Sequence, residues 1–318
     1  MMIPTKKTRN DPLRPAPDQV DGVLLLDKPH GLTSNQALQK VKRLLNAKKA
    51  GHTGSLDPAA TGMLPLCFGE ATKICAYMLD ADKKYRVTAR LGESTDTGDA
   101  DGQVMATADV PDLQSADWLR IFERFIGEIQ QVPPMYSALK VDGKRLYALA
   151  RQGQTVERKP RTIRIHELQL LEAQGRRLVF RAHCSKGTYI RTLVEDLAKS
   201  AGTIAHTVGL HRESVGDFQA AEMLDLPGAQ RAAEEGPGGL KKYLLAPDQA
   251  LLHWPERHLD GTSTRRFVEG QSIAVDADGS HVTGTLVRVY GESQAFVGIG
   301  ELTGNDLLKP RRLFRTTR

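Results

Sequence analysis

The stretch "YRVTARLG", residues 85–92, alternates apolar and polar side chains with a period of two. Successive side chains of a β-strand point to opposite faces, so Tyr85, Val87, Ala89 and Leu91 share one side, and Arg86, Thr88 and Arg90 the other. Working outward, "RTIRIHELQLLEA" and "RRLVFRAHCS" predict two strands joined around Gly175. Upstream, "GVLLLD" (22–27) is a short apolar run ending at the turn-forming "KPHG", as expected of a buried strand. Helical spacing lies between these strands. Thr33 and Ser34 are able to cap "NQALQKVKRLLNAKK", where Ala37, Leu38, Val41, Leu44 and Leu45 fall on one face. Further helices are expected at "GEATKICAYMLDADKK", "DWLRIFERFIG" and "TYIRTLVEDLAKSAG", the last turning Ile190, Leu193, Val194 and Leu197 inward. Irregularly interleaved strands and helices imply a mixed α/β domain.

The texture changes near the C-terminus. "LPGAQRAAEEGPGGLKK" (226–242) has the glycine and proline content of a loop or linker. Beyond residue 250, "SIAVDADG", "GTLVRVYG" and "QAFVGIGELTG" predict short strands separated by turns, followed by the basic tail "LKPRRLFRTTR". The organisation expected is a disordered lead (1–20), a main domain (21–249) and a small β domain (250–318).

Composition bounds the function. The chain has 318 residues, 40% hydrophobic and 26% charged, which is ordinary for a soluble globular protein. No apolar run approaches the roughly 20 residues that span a bilayer, and the basic, proline-rich start lacks a secretory signal's apolar stretch. A cytoplasmic protein without membrane attachment is expected. Cys67, Cys75 and Cys184 form no C-x-x-C pair, so neither a disulfide framework nor a thiolate zinc site is indicated. The net charge of +6 favours a polyanionic partner such as nucleic acid.

Several familiar motifs are excluded. "TGDADG" (97–102) would need a glutamate at its twelfth position to bind calcium in an EF-hand, and Ala108 stands there. Glycines 51, 54 and 62 fit neither the dinucleotide fingerprint nor the phosphate loop, so neither NAD nor ATP is implied. Ser55, His52 and Asp57 lack the G-x-S-x-G elbow of a serine hydrolase.

"GHTGSLDPAATG" (51–62) instead surrounds Asp57 with small residues and follows it with Pro58, which restricts Asp57 to extended or turn conformations. Its carboxylate is either presented from a loop beside space for a flat ligand, or caps the turn beginning at Pro58. In "CSKGTYIRTL" (184–193), Lys186 and Arg191 flank the first turn of a helix, where the macrodipole already favours anions. A phosphate or a protein carboxylate is expected there, unless the arginine snorkels to solvent.

Five segments together carry a resemblance: "GVLLLDKPHGLTSNQAL", "AGHTGSLDPAATGMLPLCFGEATKI", "KKYRVTARLGESTDTGDADG", "VPPMYSALKVDGKRLYALARQG" and "CSKGTYIRTLVEDLA". In order and spacing, from about residue 22 to 216, they resemble the TruB family of tRNA pseudouridine-55 synthases, and the terminal segment looks like a PUA domain, a small RNA-binding β domain. The resemblance implies a large, mainly antiparallel pseudouridine-synthase sheet with flanking helices. It also implies isomerisation of a uridine in the tRNA T arm, without metal or cofactor, by a monomer. The family's catalytic aspartate maps to Asp57, acting at C1′, at C6 or on the C2′ proton. Tyr85 becomes the aromatic residue against the target base, and Arg191 the partner of Asp57, an adjacent cation favouring its charged form. His52 resembles the residue stacking near the vacated base position, Asp99 a second carboxylate on Arg191, and Leu210 the apolar wall of the uracil pocket. Tyr189 and Lys28 join these as substrate- or RNA-binding residues, Lys28 through positioning or structure. Two rival readings are a non-catalytic tRNA-binding chaperone and a metal-free hydrolase of the same base–sugar bond.

Overall fold

The computed structural model describes residues 16–137, 139–141, 143–275, 282–304 and 306–315. The expected lead falls mostly outside these residues. In chain order the strands of the larger part are β1 (Gly22–Lys28), β2 (Ala50–His52), β3 (Thr61–Phe68), β4 (Lys83–Leu91), β5 (Glu93–Thr95), β6 (Val104–Thr107) and β7 (Gly127–Gln131). They continue with β8 (Lys140–Val141), β9 (Lys144–Arg145), β10 (Arg161–Gln174), β11 (Arg177–Cys184), β12 (Ala205–Val215) and β13 (Leu224–Asp225). The helices here are α1 (Ser34–Leu44), α2 (Cys75–Met78), α3 (Ser115–Glu123), α4 (Leu146–Ala150), α5 (Ile190–Ser200) and α6 (Leu226–Glu234).

Nine strands form one sheet in the order β13-β1-β3-β12-β4-β11-β10-β7, with β2 paired to β3. Its pairings are antiparallel except β1–β13 and β3–β12, which matches the expected mainly antiparallel sheet. β4 lies near the middle, between β11 and β12, and alternates as its sequence predicts, with Tyr85, Val87, Ala89 and Leu91 buried and Lys84, Arg86 and Arg90 exposed. The buried row packs with Phe180 against Ala37 and Val41 of α1, Trp118 and Phe122 of α3, and Leu193 and Leu197 of α5. Each fully buried aliphatic or aromatic side chain contributes about 1.5–3 kcal/mol. Thr33 and Gln36 close a capping box that starts α1 at the expected place.

The second part consists of α7 (Gly261–Val268) and β14 (Glu256–His258), β15 (Ile273–Ala274), β16 (Leu286–Tyr290), β17 (Phe296–Thr303) and β18 (Leu307–Leu313), ordered β14-β16-β17-β18-β15. Part of the expected strand "SIAVDADG" lies outside the described residues. Ile299 and Phe314 join Val23, Leu25, Met63 and Cys67 in one apolar cluster. β1 is therefore covered on both faces, which explains why its sequence is apolar without alternation.

Two expectations are corrected. The stretch 226–242 is not simply a linker: Asp225 accepts the Gly228 N–H at 2.7 Å and starts α6, Pro227 occupies the permissive first turn, and Ala229 and Ala232 bury one face. The helix expected from residue 69 is a 3₁₀ segment (Gly69–Ile74) followed by the single turn α2. Its start is anchored elsewhere: the Glu70 N–H donates to Asp21, and Lys73 Nζ to Glu70 and to the Leu313 carbonyl.

Candidate active site

Asp57 stands in the loop between β2 and β3. The loop is fastened on both sides of it. The buried Ser34 hydroxyl accepts from Leu56 N–H at 2.8 Å and donates to Leu56 O at 3.1 Å. Pro58 O accepts from Gly31 N–H at 2.8 Å and from Lys28 Nζ at 3.4 Å. Asp57 O accepts from Ala60 N–H at 3.1 Å, closing a turn with the backbone and leaving the carboxylate free to point away. The alternatives left open by the sequence are thereby separated: the side chain is presented from a loop.

Arg191, in the first turn of α5, meets that carboxylate. Its Nη2 lies 2.8 Å from Asp57 Oδ2 and its Nη1 3.7 Å from Asp99 Oδ2. The guanidinium also donates to Thr97 O at 2.6 Å and Tyr136 O at 2.8 Å, so its fork is held by two backbone carbonyls. Asp99 is itself oriented by Thr97 Oγ1 and by the Asp101 N–H. The anion expected near Arg191 is thus a pair of carboxylates from two distant loops.

The electrostatic outcome differs from the expectation in direction. Burial is the largest influence on Asp57 and raises its pKa, Asp99 adding to the rise; Arg191 and Lys28 oppose it without reversing it. About half of the side chain is exposed, but to a recess instead of an open surface, so surrounding protein still removes much of the solvation that favours the ion.

That recess has a volume of about 280 Å³ and is lined by Tyr85, Tyr136, Tyr189 and Leu210 around Asp57 and Arg191. Three aromatic rings and a leucine opposite a carboxylate suit a flat ring carrying a sugar. A smaller recess behind Asp57 shares Leu210 and Arg191 and is bordered by His30, Asp99 and Gly209. Tyr85 is almost wholly buried, which raises its hydroxyl pKa. Tyr189 precedes α5, its backbone held by Gln131 through bonds of 2.8 and 3.1 Å.

The fold therefore gathers Asp57, Tyr85, Arg191, Tyr189 and Leu210 at one cavity, with Asp99 behind them. Lys28 and His52 stand apart. Lys28 is fully buried and donates to Pro29 O, Leu32 O and Pro58 O, which puts it beneath the loop; burial lowers its pKa to about 8. His52, half-buried at the end of β2, does not line the cavity, and burial and Arg212 lower its pKa.

Arg212 is the residue that sequence reasoning missed. It is buried on β12 opposite Tyr85 and donates to Met63 O at 2.7 Å and Gly54 O at 3.3 Å. Thus it ties β12 to both ends of the Asp57 loop. The signal available was an arginine inside "HTVGLHRESV", which alone does not distinguish a buried tie from a surface charge.

Comparison with known proteins identifies the family. Residues 42–190 match the TruB family pseudouridylate synthase N-terminal domain, and residues 255–314 match the C-terminal domain of pseudouridine synthase II TruB. The chain is 49% identical over 298 residues to tRNA pseudouridine synthase B of Pseudomonas aeruginosa, covering 93% of this chain and 97% of that protein. It is also 49% identical over 295 residues to the Haemophilus influenzae protein of the same name, covering 92% and 95%. Among solved structures, a Cbf5-Nop10-Gar1 complex contains a chain with the same fold (TM-score 0.73, 24% identity, coverage 97% and 91%). An H/ACA RNP bound to a substrate RNA containing 2'-deoxyuridine contains another (TM-score 0.71, 23% identity, coverage 93% and 85%). With near-full-length identity of this order, the chain belongs to the TruB family of pseudouridylate synthases.

Proposed function

We propose that this protein converts one uridine in the T arm of tRNA, at position 55, to pseudouridine. The observation that carries the reading is the Asp57 carboxylate, held by Arg191, facing a recess walled by Tyr85 and Leu210 in a chain of this family. The target nucleoside is everted from the folded arm at a cost of a few kcal/mol and docks its ring in the recess. Stacking on Tyr85 returns on the order of 1–3 kcal/mol. Ionised Asp57 then acts at the sugar edge or at C6. The N1–C1′ bond breaks, the base turns, and C5 bonds to C1′. The C5 proton leaves to solvent and N1 gains one, so the net change is an isomerisation that consumes no co-reactant. Arg191 and Lys28 partly offset the burial that favours protonated Asp57.

The RNA is held around this recess by charge. Lys140, Lys144, Arg145 and Arg151 are exposed along 140–151, shortly after Tyr136, which lines the cavity. Arg145 and Arg151 also stack over Tyr147. Affinity accordingly falls with salt, and the shape of the arm selects the site. The reading takes the enzyme as a cytoplasmic monomer, working where tRNA is; among the described residues no helix is long and apolar enough to cross a membrane.

The test is tritium release from a tRNA transcript carrying [5-³H]uridine, with the product position mapped. Release equal to one proton per tRNA, absent from a transcript with cytidine at position 55, is expected. Binding without release would leave a chaperone, and free uracil a hydrolase; either overturns the reading.

A further inference from the structure

A second cluster of chemistry-bearing side chains lies away from Asp57, at the ends of β4, β10 and β11. β10 pairs with β11 through Ile165↔Cys184 and then Glu167↔His183, so the register shifts and His166 is the extra residue of a bulge. A bulge re-aims a side chain that regular alternation would send elsewhere. Here both His166 and Glu167 are exposed, while Ile165 and Leu168 on either side are buried. The bulge sets the His166 ring beside His183, ring centroids 4.6 Å apart. Asp82, immediately before β4, completes the group, its Oδ2 3.0 Å from His166 Nε2. One ligand atom from each of the three residues lies within 4.8 Å of the others.

We propose that Asp82, His166 and His183 bind one divalent transition-metal cation of the Zn²⁺ type. Two imidazoles and one carboxylate are the donor set such ions take, at about 2.0–2.2 Å per ligand. Three protein ligands leave a coordination position for water, which the exposure of the cluster supplies. Rotation of exposed His166 and half-exposed Asp82 closes the separations to the roughly 3.3–3.5 Å that tetrahedral bonds of that length require. Lys84 and Glu167 flank His183 with opposite charges.

The three ligands come from separate segments, so an ion would cross-link them. His183 immediately precedes Cys184, which ends β11, and the chain from there leads through residues 185–189 into α5 and Arg191. None of the three touches the Asp57 cavity. The ion therefore stabilises the fold without entering the isomerisation.

EDTA-stripped full-length protein titrated with ZnCl₂ at pH 7.5 should bind one ion per chain with a rise in Tm. In His166→Ala/His183→Ala the affinity of that event should fall at least tenfold and the Tm rise disappear. tRNA turnover in the same variant should stay within twofold of the parent, which also reports that it folds. In the parent, histidine NMR signals of His166 and His183 should shift first during the titration. Unchanged stoichiometry and affinity in the double variant, or first shifts at His253 or His258, which pair with Asp217 and Glu256, would overturn the site.

Discussion

Asp57 and Arg191 meet across the cavity as unequal partners: the guanidinium side chain is 6% exposed and the carboxylate 46%. The arginine is a fixed part of the wall, fastened to Thr97 O and Tyr136 O, whereas the acid keeps one side open to a ligand. Such a pair orients the acid while preserving its access to substrate.

Asp57→Asn should abolish tritium release while tRNA affinity stays within a few-fold, as measured by filter binding. Loss of affinity in proportion to turnover would make Asp57 a binding residue.

Turnover should fall on the acid side as Asp57 protonates, at a pH above the ordinary value of 3.8, since burial raises its pKa. The stability sign is opposite to that of a salt-bridged acid. A raised folded-state pKa means that protonation favours the fold; this contribution is complete below the unfolded pKa and is lost as pH rises through the folded one. Asp57→Asn mimics the protonated form. It should therefore be more stable than the parent at neutral pH in urea unfolding, the difference vanishing below about pH 3.8.

Arg191→Ala leaves Asp57, Asp99 and two carbonyls without their shared donor. With Asp57 half-exposed, the stability cost lies mainly in the buried carbonyls and Asp99 left unpaired, about 1–3 kcal/mol for such a group. Turnover should fall by about 10²–10³-fold, as for removal of a positioned charged donor, with RNA affinity changed far less. Arg191→Lys should not restore kcat, because a single ammonium cannot span the carboxylate and both carbonyls.

Tyr85→Phe keeps the ring and loses only the hydroxyl; Tyr85→Leu loses the stacking surface. At about 1–3 kcal/mol for stacking, the leucine variant should lose roughly 5- to 150-fold in kcat/KM beyond the phenylalanine variant. Equal activities in steady-state assays would remove the ring from the base-binding role.

Gly62→Ala tests the join beneath the cavity. Gly62 has φ +99°, and an added Cβ would lie 2.3 Å from Arg212 O and 2.6 Å from Arg212 N, both backbone atoms. Backbone strain costs about 1–3 kcal/mol at such a position, and the clash adds to it. Gly31→Ala, with φ +82° and nothing near its Cβ, should show only the strain in urea unfolding.

Local physical chemistry made much of the architecture legible. The alternation of β4, the capped α1 and the hairpin about Gly175 depend on side-chain period and turn chemistry within a dozen residues, and they stand where expected. β3 carries Pro65 within an otherwise apolar run, where strand pattern alone is ambiguous; the proline is tolerated opposite Leu25, where it lacks only a donor. α6 lies in a stretch, 226–242, whose glycines and prolines fall mostly after residue 234, and an Asp cap and two buried alanines suffice to form it once it can pack.

The site divides in the same way. Small residues about Asp57 and the following proline allowed either a loop-borne acid or a cap, and the family motifs named its companions. The direction of the Asp57 pKa, the place of Lys28 beneath the loop, and the tie made by Arg212 all arose from the assembled fold. The physical reason is range. Period, caps and turns are set by neighbours in the chain, whereas desolvation and the partner of a buried charge depend on which distant segments pack around it. The residues alone therefore determined a mixed sheet-and-helix fold and, through the family resemblance, pointed to Asp57, and only tertiary packing decided how that acid is held and charged.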